Sequence, residues 1–428
     1  MSLKETPVWL DGVTFPTLDA AQPPPERVDV AIVGAGYTGL AAALALAKRG
    51  ATVAVLEAQT IGWGASSRNG GMVLTGLKLE AGALIARYGR TTARRLFTAS
   101  LAAIACVEQI VAEQRIACDF TRSGHLLLAY KPAHFGELVH DAELVAREFG
   151  HATRVVPKRE LRDEIGSDAY HGGVVDERSA GLQPARYVAG LAQAAQQAGA
   201  QLYEHAPVER IARSHRLFCL STPRGTVRTE AVFIATSGYT GRATPTLRRR
   251  IIPIGSYIIA TEPLPQALAH DLSPRDRMIF DSKRFLYYFR LTPDRRMLFG
   301  GRAGFFPETP ATVRESAAIL RRGMIAVYPQ LRDVRVEYAW GGTHDFAFDM
   351  MPHAGQLDGL HYALGYAGHG VAMATYLGTK LGEQIGGAAD ENPFAALPFP
   401  GAPLGLYHER PWFLPFVGAW YKVLDWIH

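Results

Sequence analysis

The chain has 428 residues, 48% of them hydrophobic and 20% charged, which excludes a disordered chain and suits two or three globular domains. A formal net charge of +5 with no basic run longer than Arg248-Arg249-Arg250 gives no basis for a nucleic-acid partner. Three scattered cysteines (Cys106, Cys118, Cys219), no 18-residue apolar stretch and no signal-peptide pattern argue against a disulfide framework, a metal site or a membrane span, so a cytoplasmic setting is expected.

Residues 1–26, rich in Pro, Thr and Asp, read as an arm over the surface. Residues 28–33 form a short apolar run of the kind a buried parallel strand needs, and a Gly-rich turn follows. Residues 40–48 then predict a helix capped by Gly50, and residues 51–57 a second buried strand. This βαβ unit implies an open, mostly parallel sheet.

An amphipathic helix is expected over residues 91–114, with Leu96, Leu101, Ile104, Val107 and Val111 on one face. Short strands and charged helix follow to about 175, then a helix over 185–197 and strands over 201–205 and 232–236. Residues 250–340 alternate as antiparallel strands do, and 365–386 return to a turn and a long helix. The fold class expected is α/β (α+β overall): a Rossmann-type dinucleotide domain over 27–115, 179–248 and 341–390, interleaved with an antiparallel-sheet substrate domain over 116–178 and 249–340. A Pro-rich linker and an aromatic tail, 391–428, complete the chain; the tail is expected to pack on its own domain or on a second subunit, with a peripheral membrane contact as the alternative.

Three motifs carry chemistry. In Gly34-Ala35-Gly36-Tyr37-Thr38-Gly39, Gly34 permits the tight turn, Gly36 lets backbone approach a pyrophosphate, and Gly39 lets helix and strand pack closely. The helix N-terminus faces the phosphates, while Glu57, beside Ala58, is spaced to accept from an adenosine ribose. The second motif, Gly62-Trp63-Gly64-Ala65-Ser66-Ser67-Arg68-Asn69-Gly70-Gly71-Met72, supplies small residues, donors and one Arg. A cofactor longer than its βαβ unit needs such a second cradle, which favours FAD over NAD; a flexible Gly/Ser loop is the plainer alternative. In the third, Gly365-Tyr366-Ala367-Gly368-His369-Gly370-Val371, a glycine turn would aim a helix N-terminus at a ring edge that gains negative charge on reduction. His369 reads equally as a donor there or as a hydrogen-bonded structural residue.

The run from Asp29 to Met72, together with G-Y-A-G-H-G-V-A near the other end, resembles the glycine oxidase, sarcosine oxidase and D-amino-acid oxidase superfamily, and within it the γ-glutamylputrescine oxidase-like proteins. The resemblance implies FAD-dependent oxidation of an amine or amino acid to an imine, with oxygen or another electron acceptor. It places Val208 at the adenine, Ala235, Thr236 and Ser237 near the adenosine and pyrophosphate, and Gly341, Gly342 and Thr343 along the flavin, with Gly368 to Val371 at its pyrimidine end. Two departures stand out. There is no Cys over 341–345, where several relatives attach the flavin, so the FAD is expected to be noncovalent; and the lysine those relatives associate with oxygen falls at about Ala372.

Such chemistry needs a neutral amine, which an apolar, aromatic pocket promotes by desolvation. Candidate walls are Tyr257, Tyr288, Arg290 and His344, with Tyr287, Trp340 and Asp345 beside them; Arg290 is the candidate clamp for a substrate carboxylate. Adjacent strand residues point to opposite sides, so only one of His344 and Asp345 is expected to face the pocket. Two other readings stay open: a membrane-associated dehydrogenase that passes electrons to quinone, and a flavin-binding protein without turnover.

Overall fold

The structure is a computed structural model in which residues 3–301, 309–389, 392–402, 407, 413 and 414 are described. The aromatic tail expected after 403 lies, apart from Tyr407, Phe413 and Leu414, outside the described residues, as does Arg302.

Two eight-stranded sheets organise the chain. In the first, Leu360–Leu364, Gly225–Ile234, Arg27–Val33, Val53–Leu56 and Gln201–Tyr203 lie side by side and parallel. Their C-terminal halves are buried on both faces, by helices on one side and by the strands around Phe218 and Leu220 on the other, so residues 30–33, 53–56 and 231–234 read as apolar runs. Register sets Val33 opposite both Leu56 and Ile234. These three residues end their strands together, and ligands of open parallel sheets bind beyond such ends.

The second sheet runs in the order Val336–Ala347, Ile251–Thr261, Met297–Gly301, Tyr287–Leu291, Met278–Asp281, His125–Leu128, Gly172–Asp176 and Arg154–Pro157. Its pairs are antiparallel except for Met278–Asp281 with His125–Leu128. One face packs on the helix Pro310–Val327 through Ile259, Phe289, Phe299, Leu320 and Met324. The strand Val336–Ala347 carries this sheet past position 341, so the change of sheet falls later than the expected boundary.

The helix expected over 91–114 is the second arm of a longer one, Ala81–Glu113, broken at Gly89, whose φ of 76° and ψ of 160° no helix interior accommodates. By length and apolar composition this helix alone among the described residues could cross a membrane. Here its Leu84, Leu96, Ile104, Val107 and Ile110 pack into the main core.

The two ends of the chain meet where helix Gly370–Ile385 crosses helix Tyr37–Ala47. A Cβ on Gly378 would lie 2.2 Å from the Thr38 carbonyl oxygen, and one on Gly382 would lie 2.8 Å from that of Ala42. Bare glycines one turn apart therefore allow backbone to approach backbone. Thr38 Oγ1 and the Tyr366 hydroxyl, 2.8 Å apart, close the crossing beside the glycine turn.

Candidate active site

A cavity of about 470 Å³ opens at the ends of the parallel strands, lined by Val33, Leu56 and Ile234. Gly34, Gly36, Tyr37 and Thr38 of the first motif line it, with Glu57 and Ala58, and so do Gly64, Ala65, Ser66 and Asn69 of the second. Val208, Thr236 and Ser237 line it from the neighbouring strands, and Gly368, Gly370 and Val371 close it from the far end of the chain. Residues from all three sequence motifs thus border one space.

The backbone explains the glycines. Gly34 sits at φ 105°, and a Cβ there would lie 2.8 Å from the Ala235 carbonyl oxygen. A Cβ on Gly36 would lie 2.8 Å from Ser66 Oγ, which accepts the Tyr37 amide at 3.0 Å. On Gly39 it would stand 2.0 Å from the Gly34 carbonyl oxygen. The N-cap of helix Tyr37–Ala47 is Gly36, which has no side chain to cap the first turn, and helix N-termini of this kind bind anions. The Glu57 carboxylate accepts the amides of Ala35 (2.8 Å) and Gln59 (2.9 Å), and burial pushes its pKa above the usual carboxylate range. This glycine turn, which added methyl groups would force apart, together with the Glu57 carboxylate fits the pyrophosphate and ribose of a dinucleotide.

Some motif residues shape the cavity from behind. Ser67 Oγ bonds the Gly62 carbonyl, Gly71 packs against the Leu182 carbonyl, and Gly342 packs on the Arg68 side chain. Arg68 itself donates to the carbonyls of Trp63 (2.8 Å) and Gly341 (3.0 Å) and lies 5.0 Å from the Trp63 ring centre. Asn69 is the hub of the second cradle: its Nδ2 donates to the Ala65 carbonyl at 3.0 Å and its Oδ1 accepts the Gly71 amide at 2.7 Å.

A second cavity of about 150 Å³ shares Asn69, His344, Gly368 and Val371 with the first. Its remaining walls include Gly70, Met72, Leu74, Lys78, Ile254, Ser256, Phe280, Leu286, Tyr288, Phe346 and His369. Tyr288 sits opposite Gly300 in the sheet, and a Cβ on Gly300 would lie 2.3 Å from its ring, so the bare glycine makes room for it. Its hydroxyl is 3.0 Å from Ser256 Oγ, and burial pushes its pKa up to about 12. His369 is held neutral: burial first, and the Lys78 charge second, lower its pKa to about 4. Its Nδ1 is buried without a hydrogen-bond partner.

Four expected wall residues line neither cavity: Tyr257, Arg290, Tyr287, which packs against the second core, and Trp340, whose Nε1 donates to the Arg68 carbonyl at 2.9 Å. Tyr257 points to the opposite face of its strand, into the second core, where its hydroxyl reaches Thr312 Oγ1 at 3.3 Å. Its neighbour Ser256 takes the cavity side because successive strand residues alternate. Arg290 is buried and lines neither cavity among the described residues: Nη1 donates to the carbonyls of Gly71 (3.0 Å) and Leu182 (3.1 Å), and Nε to that of Leu291 (3.1 Å). Desolvation lowers its pKa to about 10, and it clamps backbone rather than substrate. Asp345 borders the first cavity beside His344, so both residues reach that space. Its carboxylate accepts the amides of Gly365 (2.7 Å) and Tyr366 (3.2 Å), which fixes the glycine turn, and burial raises its pKa.

Lys78, Ser256 and Phe280 were not expected. Phe280 and Ser256 carry no local signal, since only the strand pairing aims them inward. Lys78 does carry one, a lone cation between Leu77 and Leu79 just after the second cradle.

The comparisons with known proteins agree with this geometry. A family profile described as FAD dependent oxidoreductase matches residues 29–384. The chain is 33% identical over 366 residues to "Probable oxidoreductase OrdL" of Haemophilus influenzae, covering 84% of this chain and 83% of that one. It is 32% identical over 400 residues to the gamma-glutamylputrescine oxidoreductase of Escherichia coli, covering 93% and 92%. Among solved structures, glycine oxidase from Geobacillus kaustophilus superposes with a TM-score of 0.73 at 24% identity, over 88% of this chain and 100% of that one. The two adjacent cavities lie on that fold, and the chain belongs to the FAD dependent oxidoreductase family, with a gamma-glutamylputrescine oxidoreductase and a glycine oxidase among the proteins similar to it.

Proposed function

We propose that this chain oxidises a C–N bond of an amine in the manner of a γ-glutamylputrescine oxidase, with noncovalent FAD in the larger cavity and the amine in the smaller one. The observation that carries the reading is the junction of the two cavities at Asn69, His344, Gly368 and Val371. A substrate in the second space meets the first through that opening. FAD, when bound, accepts the hydride equivalent from the carbon next to nitrogen; the resulting imine is hydrolysed by water to a carbonyl compound and an amine or ammonia.

The chain's own residues prepare the amine. Phe280, Leu286, Tyr288 and Phe346 exclude water and favour the uncharged form, whose nitrogen lone pair stabilises the developing cation. Among the described residues, the second cavity has no Asp or Glu to hold an ammonium ion. His369 stays neutral above about pH 4. None of the three cysteines lines either cavity, which supports noncovalent binding.

The test is a panel of γ-glutamylated diamines, simple diamines and amino acids, with the carbonyl product trapped and quantified. Carbonyl formation from the γ-glutamylated amines in preference to the others is expected; formation from none of the panel sinks the proposal. Peroxide formed in air marks oxygen as the acceptor, whereas turnover that needs an added dye or quinone marks a dehydrogenase.

A further inference from the structure

The arm that begins the chain does not lie wholly on the surface. Lys4 pairs with the edge strand of the second sheet: its amide donates to the Glu337 carbonyl (2.8 Å), and its carbonyl accepts the Ala339 amide (2.9 Å). Further on, Trp9 enters a core of Ala185, Ile258, Leu298, Tyr338 and Trp340 and is only 3% exposed. Gln183 Nε2 donates to the Trp9 carbonyl at 2.6 Å, which ties the short turn Val8–Leu10 to the start of helix Pro184–Gln197. Trp9 lies outside all three sequence motifs and outside residues 29–384, which the family profile matches.

The indole meets the second cradle from behind. Trp9 Nε1 donates to the Asn69 carbonyl at 2.8 Å, and Trp340 Nε1 takes the carbonyl before it, that of Arg68. Arg290, whose guanidinium carbon is 5.9 Å from the Trp9 ring centre, donates to the Gly71 carbonyl at 3.0 Å. Three carbonyls between residues 68 and 71 are thus held by side chains from distant parts of the chain. A peptide unit is planar, so holding the Asn69 carbonyl also fixes the direction of the Gly70 amide. Asn69 itself borders both cavities, and Gly70 lines the smaller one. The Asn69 Nδ2 reaches the Tyr37 hydroxyl (3.2 Å) and the Ser66 carbonyl (3.1 Å), which links the second cradle to the helix that follows the first.

We propose that Trp9 is a positioning residue for the flavin: its indole N–H fixes the Asn69–Gly70 peptide, and through it the Asn69 side chain, so that the arm helps the larger cavity to hold FAD. Trp9 lines neither cavity, so it acts through Asn69 and not by contact with the cofactor. The inference rests on FAD in the larger cavity and is independent of which amine is oxidised.

The test measures FAD binding with no amine present. Trp9→Phe keeps an aromatic ring in the core and removes the N–H. It is expected to weaken FAD about 3- to 10-fold in a fluorescence titration of the flavin-free protein, as loss of one neutral hydrogen bond does, and to change the visible circular dichroism of the bound flavin. Asn69→Ala is expected to weaken FAD as well. The double variant should bind FAD within about twofold of Asn69→Ala alone, because residues that act as one unit are not additive. The control is Leu298→Ala, which opens the same core at a side chain that cannot hold a carbonyl. It should lower the melting temperature at least as far as Trp9→Phe and leave FAD affinity and dichroism native. Native affinity and dichroism in Trp9→Phe overturn the proposal, as do equal shifts in Leu298→Ala or single effects that multiply in the double variant.

The native protein gives a second readout, which holds even if Trp9→Phe does not fold. Coupling between two sites is reciprocal, so FAD must tighten the arm by the factor by which the arm tightens FAD. The amides of Leu10, Asp11 and Val13 are bonded within the arm, to the carbonyls of Pro7, Val8 and Leu10. Their hydrogen exchange, read by mass spectrometry, is expected to slow about 3- to 10-fold when FAD is added to the flavin-free protein. Strand Arg154–Pro157, at the far edge of the same sheet, serves as the reference and should change little. Exchange in the arm that is the same with and without FAD, or that slows no more than the reference strand, overturns the proposal.

Discussion

Glu57 accepts the amide hydrogen of Ala35 at 2.8 Å, which ties the end of the second parallel strand to the glycine turn that ends the first. Each carboxylate oxygen keeps lone-pair capacity on the cavity side, where a ribose would donate. Glu57→Ala removes both the tie and the acceptor, so FAD affinity should fall about 10- to 100-fold. Glu57→Gln, which keeps one acceptor oxygen, should lose less. Fluorescence titration of the flavin-free protein with FAD checks the order, and equal affinity in all three proteins would contradict it.

The glycines divide into two kinds. At Gly39 and Gly378 an added methyl meets a backbone carbonyl at 2.0 Å and 2.2 Å, and backbone cannot rotate away. Gly39→Ala and Gly378→Ala should each cost about 1–3 kcal/mol or more in stability. At Gly36 the neighbour is the Ser66 hydroxyl, which can turn at the expense of its bond to the Tyr37 amide. Gly36→Ala should therefore fold with a near-native melting temperature and a lowered flavin-to-protein ratio. Thermal melts paired with absorbance ratios separate the two classes.

Two tyrosines, each opposite a glycine of the same strand, should behave differently. Tyr257 lies in the second core and reaches Thr312, so Tyr257→Phe should cost about 1 kcal/mol of stability and leave flavin reduction by amines unchanged. Tyr288 lines the smaller cavity, so Tyr288→Phe should alter amine affinity or the reduction rate about 3- to 10-fold with little change in melting temperature. Because burial holds Tyr288 at about 12, its ionisation should leave no inflection in the rate profile below about pH 11. Rapid-mixing absorbance across pH tests both statements.

His125 is buried, its Nδ1 lies 2.8 Å from Ser179 Oγ, and burial lowers its pKa to about 4. In the unfolded chain the same ring takes its proton near pH 6.5. Between these values the unfolded state binds the extra proton, so stability should fall as pH drops from 6.5 towards 4, by up to about 1.4 kcal/mol per pH unit from this group. His125→Asn removes that contribution, so its stability deficit relative to the native protein should narrow as the pH falls. Urea denaturation at pH 7, 6, 5 and 4 gives the two slopes, and parallel slopes would rule out this assignment.

The first cradle was legible because its logic is local. Gly34, Gly36 and Gly39 serve a turn of six residues, and Glu57 stands one helix and one strand away, so spacing alone brings them together. The first two parallel strands were legible for a similar reason, as burial of their C-terminal halves on both faces leaves the short apolar runs at 30–33 and 53–56. The substrate wall was not. Whether Tyr257 or Ser256 faces the cavity depends on which side of the sheet the helix Pro310–Val327 covers, and no property of residues 251–261 states that. Arg290 suits a carboxylate by chemistry, yet the carbonyls that take it come from Gly71 and Leu182, which only the fold brings near. Gly378 reads as a weak point in a helix until the Thr38 carbonyl is seen against it.

In the proposed function the two adjacent cavities hold FAD and an amine in reacting contact. The most direct measurement is anaerobic addition of an amine panel, with γ-glutamylated diamines and amino acids included, to the FAD-loaded protein, followed at the long-wavelength flavin band. Bleaching of that band by at least one amine, with a carbonyl product formed in proportion to it, is the expected result. A band that keeps its full intensity with every amine, in protein that carries FAD and melts cooperatively, would contradict the account.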